Sequence, residues 1–431
     1  MSRTFYIKTM GCQMNEYDSD YLARNLINEG CIPVDDPAIA DIILINTCAV
    51  RAKPEQKAVS FLGRMADFKY KKPDMILGIV GCMAQKEGSN LIKRFPMLDL
   101  VMGPRELERF PEFLERISSN RKKIIATELN SLPANPIHCK GFFKEKISTF
   151  ISITEGCNNF CSYCIVPYVR GREVSRSPYE ILAEAKDLVA DGIKEITLLG
   201  QNVISYQWND WNFLSLLKKV TGLDGLLRVR FTTSHPKDLS EEIIRCFGNI
   251  DNLCSHIHLP FQSGSNAILK SMKRGYLREH YISLIEKLRG ADPDIAITSD
   301  VMVGFPGESE RDFEQTLDLI RQVRFDGLFS FKYSDRKGTL ADKMKNKVDE
   351  SDKILRLELL QQLQKQITLE KNNALVGKQM AVLIEGQSKR GGQLTGRTGS
   401  NKIVNFRCNN NKIGDIVNVI INDCTANSLR A

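Results

Sequence analysis

The sequence predicts an α/β protein with three parts: an N-terminal open parallel α/β sheet domain, a central partial (β/α)6 barrel and a small C-terminal β-barrel. Three observations carry this reading. Short apolar runs alternate with helical patterns from the start to about residue 335, the helices lengthen after residue 147, and the last sixty residues turn to short β-prone runs between Gly-rich turns. Alternating βα units build parallel sheets with covering helices. At 431 residues with 42% apolar content, the chain is long enough for about two to four domains with cores of their own. The expected division is 1–120, a linker at 121–145, 146–371 and 372–431.

Residues 1–120 repeat one unit: an apolar run (Phe5 to Met10, Ile42 to Asn46, Met75 to Val80), a cysteine within a residue or two, then a helical pattern. The first helix is expected from about Asp18 to Glu29, stopping at Gly30, and the second from near Pro54, which suits a first-turn proline. Residues 121–145, with Asn130-Ser131-Leu132-Pro133-Ala134-Asn135-Pro136, disfavour regular structure. Strands are then expected at Thr149–Thr154, Glu195–Leu199, Leu227–Thr233, His256–Leu259, Ile295–Val303 and Leu328–Lys332. Six of them make a partial barrel rather than a complete eightfold one. Ser177-Pro178 marks a helix start, with Ser as cap and Pro at the first position. A helix from Asp349 to about Asn373, with Leu355, Leu359, Leu360, Leu363 and Ile367 on one side, closes this region. Beyond it, Met380–Ile384, Ile403–Phe406 and Ile416–Ile421 alternate with turns such as Arg390-Gly391-Gly392, the pattern of a small barrel.

Sixty Lys plus Arg against fifty-two Asp plus Glu leave a net charge of +8. Five of those charges fall on residues 372–431, where eight basic residues (378, 389, 390, 397, 402, 407, 412 and 430) face three acids. A small basic β-module suits nucleic acid, although a solvated basic face has the same composition. The N-terminus carries no export pattern, and no apolar stretch approaches the roughly 18 residues of a membrane span. The expectation is therefore a cytoplasmic protein with reduced thiols and no membrane partner. A chain this long needs no disulfide staples, so its twelve cysteines are there for chemistry or are incidental.

Cys157, Cys161 and Cys164 form a Cys-x3-Cys-x2-Cys loop directly after the first barrel strand. Three thiolates on one loop at a strand's C-terminal end can each take an iron of a [4Fe–4S] cluster and leave the fourth iron open. Structural zinc would need a fourth donor at zinc-like spacing, and none follows. Cys12, Cys48 and Cys82 each occupy the turn leaving a parallel strand. Such turns share one edge of an open sheet, so the three can converge. A second cluster with an open site follows, against the alternative of strand-end core cysteines. Cys31, Cys139, Cys246, Cys254, Cys408 and Cys424 have no such arrangement and read as bystanders. His256 and His258 alternate on a strand, where a core role is favoured over one at the barrel mouth.

The Cys157–Cys164 spacing resembles the radical S-adenosylmethionine (SAM) superfamily motif, whose (β/α)6 barrel matches the strand count. That resemblance places Tyr163 beside the SAM adenine, with a core tyrosine under the loop as the alternative. The whole chain resembles the methylthiotransferase family. The string Lys8-Thr9-Met10-Gly11-Cys12-Gln13-Met14-Asn15-Glu16-Tyr17-Asp18-Ser19 looks like the signature of its branch acting on N6-dimethylallyladenosine in tRNA. Further matches are Gly156-Cys157 through Arg170-Gly171-Arg172-Glu173, Leu199-Gly200-Gln201-Asn202-Val203, Thr233-Ser234-His235-Pro236, Leu259-Pro260-Phe261-Gln262-Ser263-Gly264-Ser265 and Gly304-Phe305-Pro306-Gly307-Glu308. The C-terminal module is similar to a TRAM domain.

The resemblance implies a methylthio group added at C2 of N6-isopentenyladenosine, at position 37 beside the tRNA anticodon. It implies two [4Fe–4S] clusters, one on Cys12, Cys48 and Cys82 and one on Cys157, Cys161 and Cys164, with two SAM per turnover. Gly200, Gln201, Ser234, Gln262 and Gly304 are the candidates for SAM or substrate contact, each alternatively a turn residue or a backbone ligand. Arg170, Arg172 and Arg176 meet phosphate or the SAM carboxylate, or else a solvated face. Implied partners are the tRNA anticodon stem-loop and an electron-donor protein; a monomer is adequate. The competing readings are sister enzymes acting on threonylcarbamoyladenosine or on a ribosomal-protein aspartate, and a nonenzymatic iron–sulfur RNA-binding protein.

Overall fold

The computed structural model describes residues 2–49, 52–144, 146–388, 391–407 and 411–431, so Lys389, Arg390 and Cys408 lie outside the described residues. The first domain is a six-stranded, all-parallel sheet of β1 (Thr4–Met10), β2 (Ile32–Pro33), β3 (Ile42–Thr47), β4 (Ile76–Val80), β5 (Leu100–Met102) and β6 (Ile124–Ala126), in the order β2-β1-β3-β4-β5-β6. Every residue of β3 and β4 is buried, as a parallel strand covered on both faces requires. On one face Ile42, Leu44 and Val80 pack with Tyr21, Leu22 and Leu26 of α1 (Gln13–Asn28). On the other, Ile43, Ile45 and Ile79 pack with Phe61, Leu62 and Met65 of α2 (Ala52–Lys71).

Three of these strands go beyond the sequence reading. β2, β5 and β6 are two or three residues long, too short to show a period. β6 falls inside the segment read as a linker. The helix α1 also begins five residues before the expected Asp18. Cys12 sits at its cap position in extended conformation, and the Asn15 Oδ1 accepts from the Cys12 backbone N–H at 3.2 Å.

The barrel strands follow in chain order. Ser148–Ser152, Glu195–Leu199 and Arg228–Thr232 form one parallel sheet; His256–His258, Ala296–Val303 and Gly327–Lys332 form another. A bridge from Val229 to Leu253 joins them, and the barrel stays open between its first and last strands. Ile196, Leu198, Val229, Phe231, Ile257 and Ile297 face the helices. The alternate positions turn inward and are largely polar. His256 and His258 each lie 3.0 Å from the Thr298 hydroxyl, a buried structural role.

The closing helix runs Glu350–Asn373, but its buried face is Arg356, Leu360, Gln364 and Ile367. Leu355 and Leu359, expected inside, are 56% and 43% exposed. The reason is polar: Arg356 pairs with Glu308 at 2.8 Å and the Gln364 amide donates to the Phe325 carbonyl at 2.9 Å, which turns the leucine row outward.

The C-terminal module is a six-stranded sheet whose main strands are Gln379–Gln387, Leu394–Thr398, Ile403–Phe406 and Ile416–Ile420. Val382, Ile384, Val404, Phe406, Ile421 and Leu429 fill it. It docks on the barrel at the N-terminal ends of the strands. Arg228 donates to the carbonyls of Arg397 (2.6 Å) and Ala381 (3.1 Å), and Arg230 to those of Gly399 (2.9 Å) and Thr398 (2.8 Å). Arg230 is held in turn by Glu195 at 2.9 Å. No helix among the described residues is long and apolar enough to cross a membrane.

Candidate functional site

Both cysteine trios line a single cavity of about 290 Å³. It lies at the other end of the barrel from the C-terminal module, where the C-terminal edge of the first sheet faces the C-terminal ends of the barrel strands. β1, β3 and β4 are neighbours in register, so the residues that follow them, Cys12, Cys48 and Cys82, converge despite spacings of 36 and 34. The Cys48 N–H donates to the Met10 carbonyl at 3.1 Å, and Cys82 opens a short helix, α3 (Cys82–Glu87).

Two buried asparagines fix this edge. Asn15 donates to Asn46 Oδ1 at 2.8 Å, and Asn46 donates to the Asn15 carbonyl at 2.9 Å and to Ser19 at 3.0 Å. Sequence reasoning quoted both inside motifs without assigning them a role. The signal was present: each lies two or three residues from a cysteine.

The other trio sits on the loop after the first barrel strand. The Gly156 N–H there donates to Gln201 Oε1 and the Cys157 N–H to the Gly171 carbonyl at 3.2 Å. Tyr163, Gly200, Gln201, Ser234 and Gln262 all line the cavity. Tyr163 also packs edge-on against Phe305, with ring centroids 6.5 Å apart. Gly304 is not part of the lining; its N–H donates to Glu308 at 2.6 Å, and its position is that of a turn glycine with φ of 71°.

Arg170 and Arg176 do not lie on a solvated face. Both are buried and clamp the first domain to the barrel. Arg170 pairs with Asp18 at 2.6 Å. Arg176 pairs with Glu184 at 2.9 Å and donates to the Tyr17 hydroxyl (3.2 Å) and the Ser152 carbonyl (2.6 Å). Arg105 crosses the same junction to the carbonyls of Glu155, Arg170 and Arg172. Arg172 is exposed and stacks over Phe160.

Arg274 and His235 are among the lining residues to which sequence reasoning assigned no role. Arg274 reaches Cys161 Sγ at 3.5 Å and the Pro260 carbonyl at 2.8 Å. His235 Nδ1 accepts from the Lys237 N–H at 3.3 Å, which puts the ring proton on Nε2, a buried donor without a partner. Burial, with Arg274 and Lys237 nearby, lowers the His235 pKa to about 2, so the ring is neutral at working pH. The Ser234 hydroxyl is likewise buried and unpaired.

The thiols differ in charge state. Hydrogen bonding with Cys48, the Arg170 charge and the first-turn N–H groups of Asn15 and Met14 outweigh burial and lower Cys12 to about 5. Burial pushes Cys164 up to about 12. In iron-free protein at pH 7, Cys12 is then largely thiolate and Cys164 a thiol. Iodoacetamide should label Cys12 well ahead of Cys164, read by peptide mapping; equal labelling would contradict the assignment.

Cys31, Cys139, Cys246, Cys254 and Cys424 do not line the cavity. Among the described residues no three His, Cys, Asp or Glu side chains converge on one metal ion. A [4Fe–4S] cluster asks less, because each thiolate takes its own iron. Three thiolates facing a common cavity, with polar hydrogens left unsatisfied beside them, fit such a cluster and a polar ligand.

A partial parallel barrel with a three-cysteine loop at its C-terminal end defines a radical SAM protein, and residues 151–320 match the model of the Radical SAM superfamily, whose members use a [4Fe–4S] cluster and SAM. Residues 4–103 match the family UPF0004 and residues 373–431 the TRAM domain. Among solved structures, the radical S-adenosylmethionine methyltransferase TsrM from Kitasatospora setae, with cobalamin and a [4Fe-4S] cluster bound, aligns with a TM-score of 0.58. It is 15% identical, covering 79% of this chain and 74% of that one, a likeness of fold alone. Curated relatives are far closer in sequence. The "tRNA-2-methylthio-N(6)-dimethylallyladenosine synthase" of Syntrophus aciditrophicus is 50% identical, over 99% of this chain and 93% of the relative. That of Geobacter sulfurreducens is 44% identical, over 99% and 97%. The chain belongs to this family of radical SAM methylthiotransferases.

Proposed function

We propose that this protein adds a methylthio group to C2 of N6-isopentenyladenosine at position 37 of tRNA. The observation that carries the reading is the shared cavity: the two cysteine trios face one space, as a reaction joining a radical source to a sulfur source requires. An aromatic C2–H has no useful acidity, so positioned acids and bases cannot activate it. When bound, the clusters and SAM supply the radical and the methylthio group. The chain supplies position and exclusion of water.

Cys157, Cys161 and Cys164 would hold the cluster that engages SAM, and Cys12, Cys48 and Cys82 a second cluster. Tyr163, Gln201, Ser234 and Gln262 would orient SAM and the base, joined by Arg274 and the Nε2 hydrogen of His235. A histidine held neutral serves as a hydrogen-bond donor through Nε2. Met14, Leu199 and Val166, with Pro54 and Pro260, belong to the apolar part of the lining. The basic C-terminal module would grip the anticodon stem-loop. A cytoplasmic monomer served by an electron-donor protein completes the reading. The names of its relatives favour this branch over those acting on threonylcarbamoyladenosine or a ribosomal-protein aspartate.

Mass analysis of nucleosides from tRNA incubated with reduced protein and SAM should show the methylthio product on isopentenyladenosine. SAM cleavage without that product would point to another substrate. Anaerobic reconstitution should give about eight irons per chain, and about four in the Cys157/Cys161/Cys164 triple alanine variant. Four in the parent would remove the second cluster.

A further inference from the structure

The guanidinium of Arg170 lies within the cavity wall, 2% exposed, where the loop after Cys164 meets the first domain. Its Nη2 donates to Asp18 Oδ2 at 2.6 Å, and its own carbonyl accepts from Arg105 at 3.0 Å. Its Nη1 has no hydrogen-bond partner. A buried charged donor left without a partner is unfavourable, and this junction holds other such atoms, among them Asp18 Oδ1 and Arg105 Nη1. Arg105, Arg176 and Arg356 also carry a nitrogen without a hydrogen bond, but none of them lines the cavity.

The lining gives the direction in which that hydrogen is wanted. Arg170 shares the cavity wall with Cys12, Cys48 and Cys82. The second trio has a parallel arrangement, with Arg274 donating to Cys161 Sγ. Each trio thus faces one buried guanidinium. Arg274 has its sulfur acceptor in Cys161, and the Arg170 guanidinium has that of Cys82 beside it.

We propose that Arg170 is a positioning residue for sulfur held at the Cys12, Cys48 and Cys82 site, its Nη1 donating to a sulfur atom of the group bound there. The proposal rests on the reading of that trio as a second cluster. Hydrogen bonds to cluster sulfur, and a nearby cation, raise the reduction potential. Arg170 therefore makes the second cluster easier to reduce, while Asp18 anchors the guanidinium in place.

The test replaces the ion pair as a unit, so that no charge is stranded: Asp18→Asn with Arg170→Gln in the full-length reconstituted protein. Iron content tests the cluster reading, and midpoint potentials from an EPR-monitored redox titration test the proposal. With about eight irons retained, the second cluster's potential should fall by a tenfold shift in its reduction equilibrium, 59 mV for one electron, while the SAM-site cluster is unmoved. Arg170→Lys, which keeps the charge but not the fork, should fall between the two and provides the measurement if the double variant does not fold. An unchanged second potential at full iron content, or equal shifts in both clusters, overturns the proposal. A parent holding only four irons overturns the cluster reading and the proposal with it.

Discussion

Gly156→Ala should empty the Cys157–Cys164 loop and abolish SAM cleavage. Gly156 has a φ of 82°, where a side chain is strained by roughly 1–2 kcal/mol. The larger obstacle is space: a Cβ there would lie 2.1 Å from the Arg172 carbonyl oxygen and 2.6 Å from that of Gly171. Both are backbone, and neither can yield freely. Thr154–Glu155 pairs with Val174–Ser175 just beyond, and Arg105 grips the Arg172 carbonyl from the other side at 2.9 Å. The loop must move, and a displacement of about 1 Å in a positioned site costs on the order of 10²-fold in rate. Iron content should fall from about eight to about four, with SAM cleavage at or below one-hundredth of the parent's. Retention of both would show that the loop tolerates the shift. The matching change on the other side is Gly81→Ala, at φ of 90°, where a Cβ meets Asn46 Oδ1 at 2.4 Å and the Thr47 carbonyl at 2.9 Å. It should displace Cys82 and lose the methylthio product while SAM cleavage survives.

Arg176→Met should destabilise the junction between the first domain and the barrel by about 3–5 kcal/mol, the cost of stranding a buried charge. Glu184, whose side chain is 4% exposed, would keep only Arg24 at 3.9 Å. The Tyr17 hydroxyl and the Ser152 carbonyl would lose their donor as well. The urea midpoint should drop accordingly, and the double variant with Glu184→Gln should recover part of the loss, since neutralising the stranded partner removes the larger share of the penalty. A midpoint within 0.5 kcal/mol of the parent's, the range about usual for surface changes, would mean the pair is dispensable.

The sequence made the two trios legible for a physical reason. Repeated βα units return the chain to one edge of a sheet, so a cysteine at the same offset in each unit must meet the others there. The barrel was legible because its outward residues are apolar at period two. What stayed hidden depended on contacts between domains. Arg170 and Arg176 look, in sequence, like charges bound for solvent; only the packing of α1 against the barrel buries them beside Asp18 and Glu184. The same blindness turned Leu355 and Leu359 inward on paper, because Arg356 and Gln364 compete for the buried face through polar partners distant in sequence. The strands β2, β5 and β6 are defined by neighbours rather than by their own two or three residues.

The C-terminal module is bolted to the floor of the barrel by the Arg228 and Arg230 side chains, while the cysteines stand at the ceiling. The barrel strands other than the three-residue His256–His258 run five to eight residues and span about 17–26 Å at roughly 3.3 Å per residue. A handle fixed at that distance behaves as a caliper. If the module holds RNA as proposed, an RNA touching both jaws would be selected by how far its reacting base stands from the part being held, so stem length and loop shape, rather than the letters along the stem, would decide which molecules fit.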